Sequence, residues 1–252
     1  MSQTYEPTTS LRGRIDRRLT PFRARKLRTV PNSKAIVSLT FDDCPKSGID
    51  NGVRPIEQQG WQSTIYVSCG LFEVENHLGK MMNADDAKAL CKSGHEIGEH
   101  TFSHGDSNRM TISEVFADIE KNTAALDALG ISAPTTLAYP YGETNAQLKS
   151  ALEKSFKGSR GINRPKQYDR VDLNQIAALP LYETTIDQAV TAIDQIARNG
   201  GWLTLFTHDV RDNPSPYGCK AEDIERVIKA IQDGPIEVLT VDQAIDSLEN
   251  AA

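Results

Sequence analysis

The stretch AIVSLTFDD, residues 35–43, is an apolar, β-branched run that ends in two adjacent carboxylates. Four further runs of this kind occur later in the chain, and segments with apolar residues at helical spacing lie between them. Such alternation is typical of βα units that build a parallel sheet. The sequence therefore predicts an α/β protein with strands at 35–41, 63–68, 135–139, 202–207 and 236–239.

The segments between these strands predict helices at 51–59, 84–92, 112–129, 145–154, 185–198, 221–232 and 241–248. The clearest is 112–129, where Val115, Ile119 and Leu126 recur at helical spacing. Thr111 or Ser113 is suited to cap its start, and Gly130 to end it.

Polar residues follow three of the predicted strands. Asp42 and Asp43 come directly after the first strand, Tyr141 lies just after the third, and His208 follows the fourth. Ligands of parallel sheets and barrels collect at the carboxyl ends of the strands. We therefore expect these residues to converge on one face.

The spacing of His100 and His104 lets two imidazoles reach one ion from a single helical turn or tight loop. Together with one carboxylate of the Asp42–Asp43 pair, they form a metal-binding set with open positions, which leaves the other carboxylate free to act as a base. A histidine at a strand end, such as His208, is suited to proton transfer near neutral pH. This pattern indicates metal-assisted hydrolysis.

Each of these residues also has a purely structural interpretation. Acidic residues after a strand often cap the next helix, and histidines are often packed or solvated. His95 is expected to pack or form hydrogen bonds, and His77 to lie at the surface. No serine elbow, P-loop or complete GxGxxG occurs, so serine hydrolases, nucleotide triphosphatases and Rossmann enzymes lack their motifs.

The charge of the chain is unevenly distributed. Its 252 residues carry a net charge of −6, but residues 11–28 hold eight basic residues against the single acid Asp16, and residues 29–252 carry a net −12. A basic arm can fold back on its own acidic domain, contact anionic lipid or contact nucleic acid. The first is favoured, a membrane-surface contact stays open, and no nucleic-acid partner is expected because only Phe22 adds an aromatic ring. We predict a basic extension at 1–33 and one domain at 34–252.

The cysteines Cys44, Cys69, Cys91 and Cys219 form no CxxC pair, which favours reduced thiols with structural roles. The chain lacks an apolar run of membrane-spanning length, and its first residues lack the features of a signal peptide. We therefore expect a cytoplasmic protein.

Four motifs in order resemble those of the polysaccharide deacetylase family, also known as the NodB-homology family or carbohydrate esterase family four. They are residues 40–43 (TFDD), residues 100–104 (HTFSH) with the preceding GHEI, residues 140–142 (PYG) and residues 205–209 (LFTHD). The resemblance spans roughly residues 35–240. It implies a distorted (β/α) barrel of about seven parallel strands that binds one divalent ion, usually zinc.

The resemblance also implies roles for single residues. Asp43, His100 and His104 would bind the metal, Asp42 would be the general base, and His208 the general acid that protonates the leaving amine. The backbone N–H of Tyr141 would form part of the oxyanion site. Phe206 would line the pocket for the acetyl methyl group. Separately from the resemblance, Tyr139 is one of the aromatic residues near the predicted rim that could stack on sugars, although most of the aromatic residues are expected in the core.

The chain departs from the family at one position. The third motif commonly begins with an arginine that orients the base, whereas this chain has Ala138 there. We predict that Arg160 supplies the missing cation to Asp42. The acid that orients the catalytic histidine in the family has no clear counterpart, and Asp172 is a weak candidate.

The leading interpretation is a metal-dependent hydrolase that removes N-acetyl groups from amino sugars of a glycan or oligosaccharide. Two alternatives are an amidase that acts on a non-sugar cyclic amide or imide, and a glycan-binding protein without turnover. The joint presence of Asp42 and His208 argues against the binding protein, because binding alone needs neither.

Overall fold

Seven parallel strands form a nearly closed barrel in the computed structural model, which describes residues 17–249. Their order around the barrel is β10-β11-β2-β3-β6-β7-β8, and β12 adds to the start of β2. The strands are β1 Leu27–Thr29, β2 Ala35–Asp42, β3 Thr64–Val67, β4 Glu75–Asn76, β5 Gly79–Lys80, β6 Glu96–Glu99, β7 Thr136–Ala138, β8 Gly158–Arg160, β9 Arg170–Asp172, β10 Ala178–Pro180, β11 Gly201–Thr207 and β12 Glu237–Val238. The predicted distorted (β/α) barrel is confirmed.

The gap between β8 and β10 is closed by the residues that lead into β10. The Ile176 N–H donates to the carbonyl of Ser159 (2.8 Å), and the Gly161 N–H donates to the carbonyl of Ile176 (2.9 Å). Ile176 thus pairs in parallel with Arg160 at the open edge of the sheet. These bonds continue the backbone hydrogen bonding between the two terminal strands of the barrel.

Seven helices surround the barrel in the described chain, in addition to four short 3-10 turns. They are α1, which combines Lys46–Gly48, a π-helical turn Ile49–Val53 and Arg54–Glu57, followed by α2 Ala84–Lys92, α3 Ile112–Asp127, α4 Ala146–Leu152, α5 Ile186–Asn199, α6 Ala221–Gln232 and α7 Val241–Glu249. Thr111 caps α3 in a capping box with Glu114, and Gly130 follows the helix with φ +76°. All predicted helices and strands are present, with shifted ends.

The main core lies between the strands and the helices that cover them. β2 and β11 are buried along nearly their whole length, which explains why their sequences read as continuous apolar runs. Helices α5 and α6 present Ile193, Ile196, Val227 and Ile231 to this core. Each such side chain contributes about 1.5–3 kcal/mol by leaving water. No helix within residues 17–249 has the length and apolar character needed to cross a bilayer.

The basic segment contacts the barrel over its described residues. β1 pairs antiparallel with β9, and the fully buried Lys149 donates to the carbonyl of Thr20 (3.3 Å) and to Asp172 Oδ2 (3.0 Å). The Lys26 N–H donates to the other carboxylate oxygen of Asp172 (2.8 Å). Residues 17–29 therefore lie on the domain. Residues 1–16 and 250–252 of the predicted units are outside the described residues, and the boundary at residue 33 stays a prediction.

Candidate metal-assisted active site

The carboxyl ends of the parallel strands bring the predicted site residues together. β2 ends at Asp42, β6 ends at Glu99 immediately before His100, and β11 ends at Thr207 immediately before His208. All of these strands point the same way, so the turns that follow them share one mouth of the barrel.

Asp43, His100 and His104 form a compact set of metal-ligating groups. One ligand atom from each residue lies within 4.8 Å of the other two. His104 Nε2 is 3.5 Å and His100 Nε2 is 3.8 Å from Asp43 Oδ1. Asp43 Oδ1 is buried and accepts no hydrogen bond from the described residues. The space between this oxygen and the two imidazoles is therefore suited to a cation. One carboxylate and two imidazoles fit a divalent transition metal.

The ring of His100 is held in a form that can bind a metal. Its Nδ1 lies 2.7 Å from the carbonyl oxygen of Ala138, so Nδ1 carries the proton and Nε2 keeps its lone pair. Burial and the neighbouring His104 lower the pKa of His100 to about 4, which keeps the ring neutral at physiological pH.

The backbone of the site turns is strained. Asp43, Cys44, Thr101, His104 and Tyr141 all have positive φ between 47° and 61°, a region that non-glycine residues rarely adopt. They make up most of the positive-φ non-glycine residues in the described chain. Such strain costs on the order of 1–3 kcal/mol per residue and persists where the surrounding structure enforces it. Two of the three candidate ligands lie on this strained backbone.

Glu99 supports the His100 turn, although the sequence analysis did not single it out. Its buried carboxyl group accepts hydrogen bonds from the Thr101 N–H (2.8 Å) and from Asn122 Nδ2 (2.7 Å). Asn122 also donates to the carbonyl of Val67 at the end of β3 (2.9 Å). Burial raises the pKa of Glu99 to about 8. The signal in the sequence was its place directly before His100 in GHEIGEH.

Asp42 forms a buried ion pair with Arg160, as the sequence predicted. Arg160 Nη2 donates to Asp42 Oδ2, and both side chains are almost fully buried. Burial alone raises the pKa of Asp42, but the charges of Arg160, His100 and His208 and the hydrogen bond from Arg160 together bring the pKa below its ordinary value of 3.8. Asp42 is therefore ionised at neutral pH, and its Oδ1 has no hydrogen-bond partner among the described residues.

The sheet register explains how Arg160 reaches this position. Ala138 on β7 is paired directly with Arg160 on β8, so the small side chain and the large one are cross-strand neighbours. The guanidinium carbon of Arg160 lies 5.2 Å from the ring centroid of Tyr66 and 4.9 Å from that of Phe206. These cation–π contacts hold the cation beside Asp42 from a strand adjacent to the one where the family commonly has it.

His208 is oriented by a backbone carbonyl rather than by an acid. Its Nδ1 lies 3.1 Å from the carbonyl oxygen of Tyr217, which leaves Nε2 for the site. The Tyr217 N–H donates to Ser215 Oγ (3.1 Å), and both the N–H and the Oγ–H of Ser215 donate to the fully buried carboxylate of Asp209 (2.8 and 2.5 Å). The weak candidate Asp172 is wrong, because it pairs with Lys149 instead.

The two predicted substrate-contacting side chains differ in their surroundings. Phe206 packs edge-to-face against Tyr182, at a centroid distance of 5.5 Å, and its ring centroid is 6.4 Å from that of His208. Tyr139 is only 2% exposed, packs in the cluster with Leu148 and Phe156, and donates its hydroxyl to the carbonyl of Asn174 (2.9 Å). We therefore correct the prediction for Tyr139, since strand alternation turns its ring into the core and away from a glycan.

Tyr141 lies at the mouth, 37% exposed, with its ring edge-to-face against His104 at a centroid distance of 4.5 Å. His95 is buried and accepts the Ser63 N–H (3.0 Å), as predicted, and His77 is at the surface. All four cysteines are free thiols, and burial raises the pKa of Cys44, which is consistent with a structural role.

Comparison with known proteins points to one family. The sequence profile described as polysaccharide deacetylase matches residues 29–155, about half of the chain. The peptidoglycan-N-acetylmuramic acid deacetylase PdaC of Bacillus subtilis is 22% identical over 86% of this chain and 40% of that protein. A chitin deacetylase of Pestalotiopsis sp is 28% identical over 72% of this chain and 55% of that protein. The chain thus spans only part of these relatives.

Solved structures share the fold. An acetyl xylan esterase of family four from Clostridium thermocellum, determined with a cobalt ion, superposes with a TM-score of 0.59 at 20% identity, over 85% of this chain and 92% of that chain. At this level of identity the likeness establishes a common barrel.

Proposed function

Because the chain belongs to the polysaccharide deacetylase family, we propose that it is a metal-dependent hydrolase that removes N-acetyl groups from the amino sugars of a glycan or oligosaccharide. The names of its relatives, which include deacetylases of peptidoglycan and of chitin, support an acetylated glycan as substrate. One observation carries the proposal: a metal-ligand set, an ionised carboxylate and a histidine with a fixed tautomer meet at one mouth of the barrel.

Asp43, His100 and His104 are the residues that would hold the ion, and zinc is the metal we propose because it favours this mixture of oxygen and nitrogen ligands. When bound, such an ion polarises the acetyl carbonyl and makes water acidic enough to attack at neutral pH. The carbonyl of Ala138 contributes by fixing the tautomer of His100.

Asp42 would accept the proton of the attacking water. Its carboxylate is ionised at neutral pH, its Oδ1 is without a hydrogen bond from the described residues, and Arg160 holds the other oxygen. A base of this kind contributes about 10²–10⁴-fold to the rate. Arg160 is a positioning residue, since it touches Asp42 rather than the reacting atoms.

His208 would protonate the nitrogen that leaves. An amine is a poor leaving group unless it receives a proton as the C–N bond breaks. With Nδ1–H bonded to the Tyr217 carbonyl, the protonated ring would deliver its proton from Nε2. Hydrolysis then yields acetate and the free amino sugar.

Tyr141 and Phe206 would shape the space between base and acid. The backbone N–H of Tyr141 is proposed to stabilise the oxyanion, and the edge-to-face packing of Phe206 next to His208 suits an apolar wall for the acetyl methyl group.

Acetate release from an acetylated chitooligosaccharide by the zinc-loaded protein tests the proposal. Asp42→Asn should abolish release while zinc content stays at one ion per chain, because Asp42 is not in the ligand set. Asp85→Asn, at an exposed carboxylate of α2 that pairs with Lys88 on the same helix, is the matched control and should keep full activity.

The same experiment separates the alternatives. Zinc bound without acetate release, together with turnover of a cyclic imide, would favour an amidase on a non-sugar substrate. Glycan binding without zinc or turnover would favour a binding protein. Equal activity of Asp42→Asn and the unchanged protein would refute the assignment of the base.

A further inference from the structure

The basic segment and the residues after β8 form one surface. The pairing of β1 with β9 places Thr29 opposite Arg170, and the ammonium of Lys166 lies 5.8 Å from the ring centroid of Phe22. We call the surface made by residues 17–29 and 162–170 the basic face. Its two parts are more than a hundred residues apart in sequence, so the fold assembles it.

Six of the nine basic residues of the basic face form no ion pair with the described residues, whereas Arg17, Arg25 and Arg28 pair with Glu143, Asp172 and Glu249. Within residues 17–249, the side chains of Arg18, Arg23, Lys166 and Arg170 form no ion pair, and Arg164 bonds only to the neutral amide of Gln188 (2.6 Å). Many basic residues elsewhere have a carboxylate partner, as in the Lys46–Asp86, Lys220–Glu183 and Arg226–Asp187 pairs. The chain after residue 28 has a net charge of −12, so this concentration of unpaired cations is local. Such a surface attracts anions.

Apolar side chains project from the same surface. Phe22 is 64% exposed, Ile162 44% and Leu19 38%. They are half of the large hydrophobic residues that are exposed in the described chain, and Phe22 is the most exposed of all. Exposed apolar side chains among cations give this surface both apolar and anion-attracting character.

We propose that the basic face docks the protein on the surface of a bilayer that contains anionic phospholipid. The cations meet the headgroups, and Phe22, Leu19 and Ile162 enter the boundary between headgroups and acyl chains. A nucleic acid offers charge and bases that stack on Phe22, but neither it nor another anionic polymer offers an apolar layer for the aliphatic Leu19 and Ile162. This interaction is independent of the proposed hydrolysis.

The basic face borders the proposed active site. The Ile162 side chain lies so close to Gly142 that a Cβ at Gly142 would be 2.2 Å from Ile162 Cγ1. Arg17 Nη1 is 3.4 Å from Glu143 Oε1, two residues after Tyr141. Docking would therefore bring the Tyr141 turn close to the bilayer surface.

Vesicle sedimentation of the full chain tests the proposal. The protein should pellet with vesicles that contain phosphatidylglycerol, should stay in solution with pure phosphatidylcholine, and should be released as salt rises. Reversal of three charges of the face (Arg23→Glu, Lys166→Glu, Arg170→Glu) should lower partitioning at least about tenfold. The matched control reverses three exposed lysines on other surfaces, Lys80→Glu, Lys92→Glu and Lys229→Glu, and should bind nearly as well as the unchanged protein.

Phe22→Ser separates lipid insertion from charge attraction. It should lower partitioning about threefold or more while the salt dependence persists. It adds no charge and removes an exposed ring, so folding, checked by thermal unfolding, should be unchanged. Equal loss in the face and control variants would overturn the proposal. Binding to RNA or heparin without binding to anionic vesicles would also overturn it and would assign the face to a soluble polyanion.

Discussion

His100 and His208 are prepared in the same way on two different supports. In each ring Nδ1 pairs with a backbone carbonyl, so Nε2 is left for the site. The carbonyl that holds His100 belongs to Ala138 on a barrel strand, whereas the one that holds His208 belongs to Tyr217 on the turn after β11. The side of the mouth that carries the candidate metal ligands is thus fixed by the sheet itself. The side that carries the proposed acid His208 is fixed by a turn that Asp209 and Ser215 hold in shape.

The difference predicts how damage should spread. We call Asp42, Asp43, His100, His104 and Arg160 the strand-held side of the mouth. A substitution there should affect metal binding, the proposed base Asp42 or the stability of the barrel, because these residues share buried contacts. We call His208, Asp209, Ser215 and Tyr217 the turn-held side. A substitution there should reduce turnover while metal content and the stability of the fold stay unchanged.

The largest effect is expected from Asp43→Ala. The change removes the one anionic ligand of the set, so zinc content should fall close to zero and activity should drop more than about 10³-fold. Metal analysis after dialysis, together with acetate release, provides the measurement. Retention of zinc with full activity would show that the ion lies elsewhere.

His208→Ala should lower activity nearly as much as Asp43→Ala but should leave the zinc content unchanged. Loss of a general acid costs about 10²–10⁴-fold in kcat, and His208 lies outside the ligand set. The matched control is His77→Ala, a surface histidine whose ring is 6.0 Å from Tyr217 on the same rim. Zinc loss in His208→Ala, or equal kinetic loss in the control, would break the contrast between the two sides.

Arg160→Met should affect both activity and stability, because it breaks a buried ion pair on the strand-held side. Leaving Asp42 buried and unpaired costs about 3–5 kcal/mol of the free energy of unfolding at neutral pH. With Arg160 present, the pKa of Asp42 is below 3.8, so the pair stabilises the fold above that pH and its contribution is lost as pH falls through the lowered pKa. In the variant, burial raises this pKa, so the variant should regain relative stability on acidification, and the acidic limb of kcat/KM should move to higher pH.

Ala138→Arg in the Arg160→Met background sharpens this test. The two positions are register partners, so a guanidinium from β7 should again reach Asp42 and move the pH profile back toward lower pH. A pH profile that stays the same in Arg160→Met as in the unchanged protein would show that Arg160 does not tune the base.

The sequence could predict the parts of this arrangement that depend on local pattern. Runs such as 35–41 and 202–207 are buried on both faces and therefore read as strands. Strand ends, histidine spacing and the resemblance predict the candidate metal ligands Asp43, His100 and His104. The same signals predict the proposed roles of Asp42, Arg160 and His208. Their assembly at one mouth followed from the parallel direction of the strands.

The features that the sequence did not predict depend on pairing between distant residues or on strands of only three or four residues. β6, β8 and β10 have only three or four residues each, too few to show a period. A backbone carbonyl is present at every residue, so the sequence does not show that the Tyr217 carbonyl orients His208, and it offers no clear acid for that role. The sequence predicts Tyr139 near the rim as one of several aromatic residues there, whereas in the structure its ring packs in the core with Leu148 and Phe156.

Asp209→Asn tests the residue that supports the turn that carries Tyr217. The buried carboxylate accepts both hydrogen bonds of Ser215, so its loss should loosen the Tyr217 carbonyl and lower kcat about tenfold, with KM and zinc content little changed. Asp212→Asn, at an exposed site in the same turn, is the control. If the zinc content of Asp209→Asn fell with its activity, the two supports would not be separate.

Tyr139→Phe should have the smallest effect on catalysis. It tests whether Tyr139 lies in the core or contacts the substrate. Its hydroxyl donates to the carbonyl of Asn174 in the core, so its removal should lower the free energy of unfolding by about 1 kcal/mol. KM for an acetylated oligosaccharide should stay the same, because the ring does not reach the mouth. Thermal unfolding and initial rates measure the two quantities on one sample. A rise in KM of several-fold without loss of stability would return Tyr139 to the substrate-contacting set, because a core tyrosine can change binding only by first changing the fold.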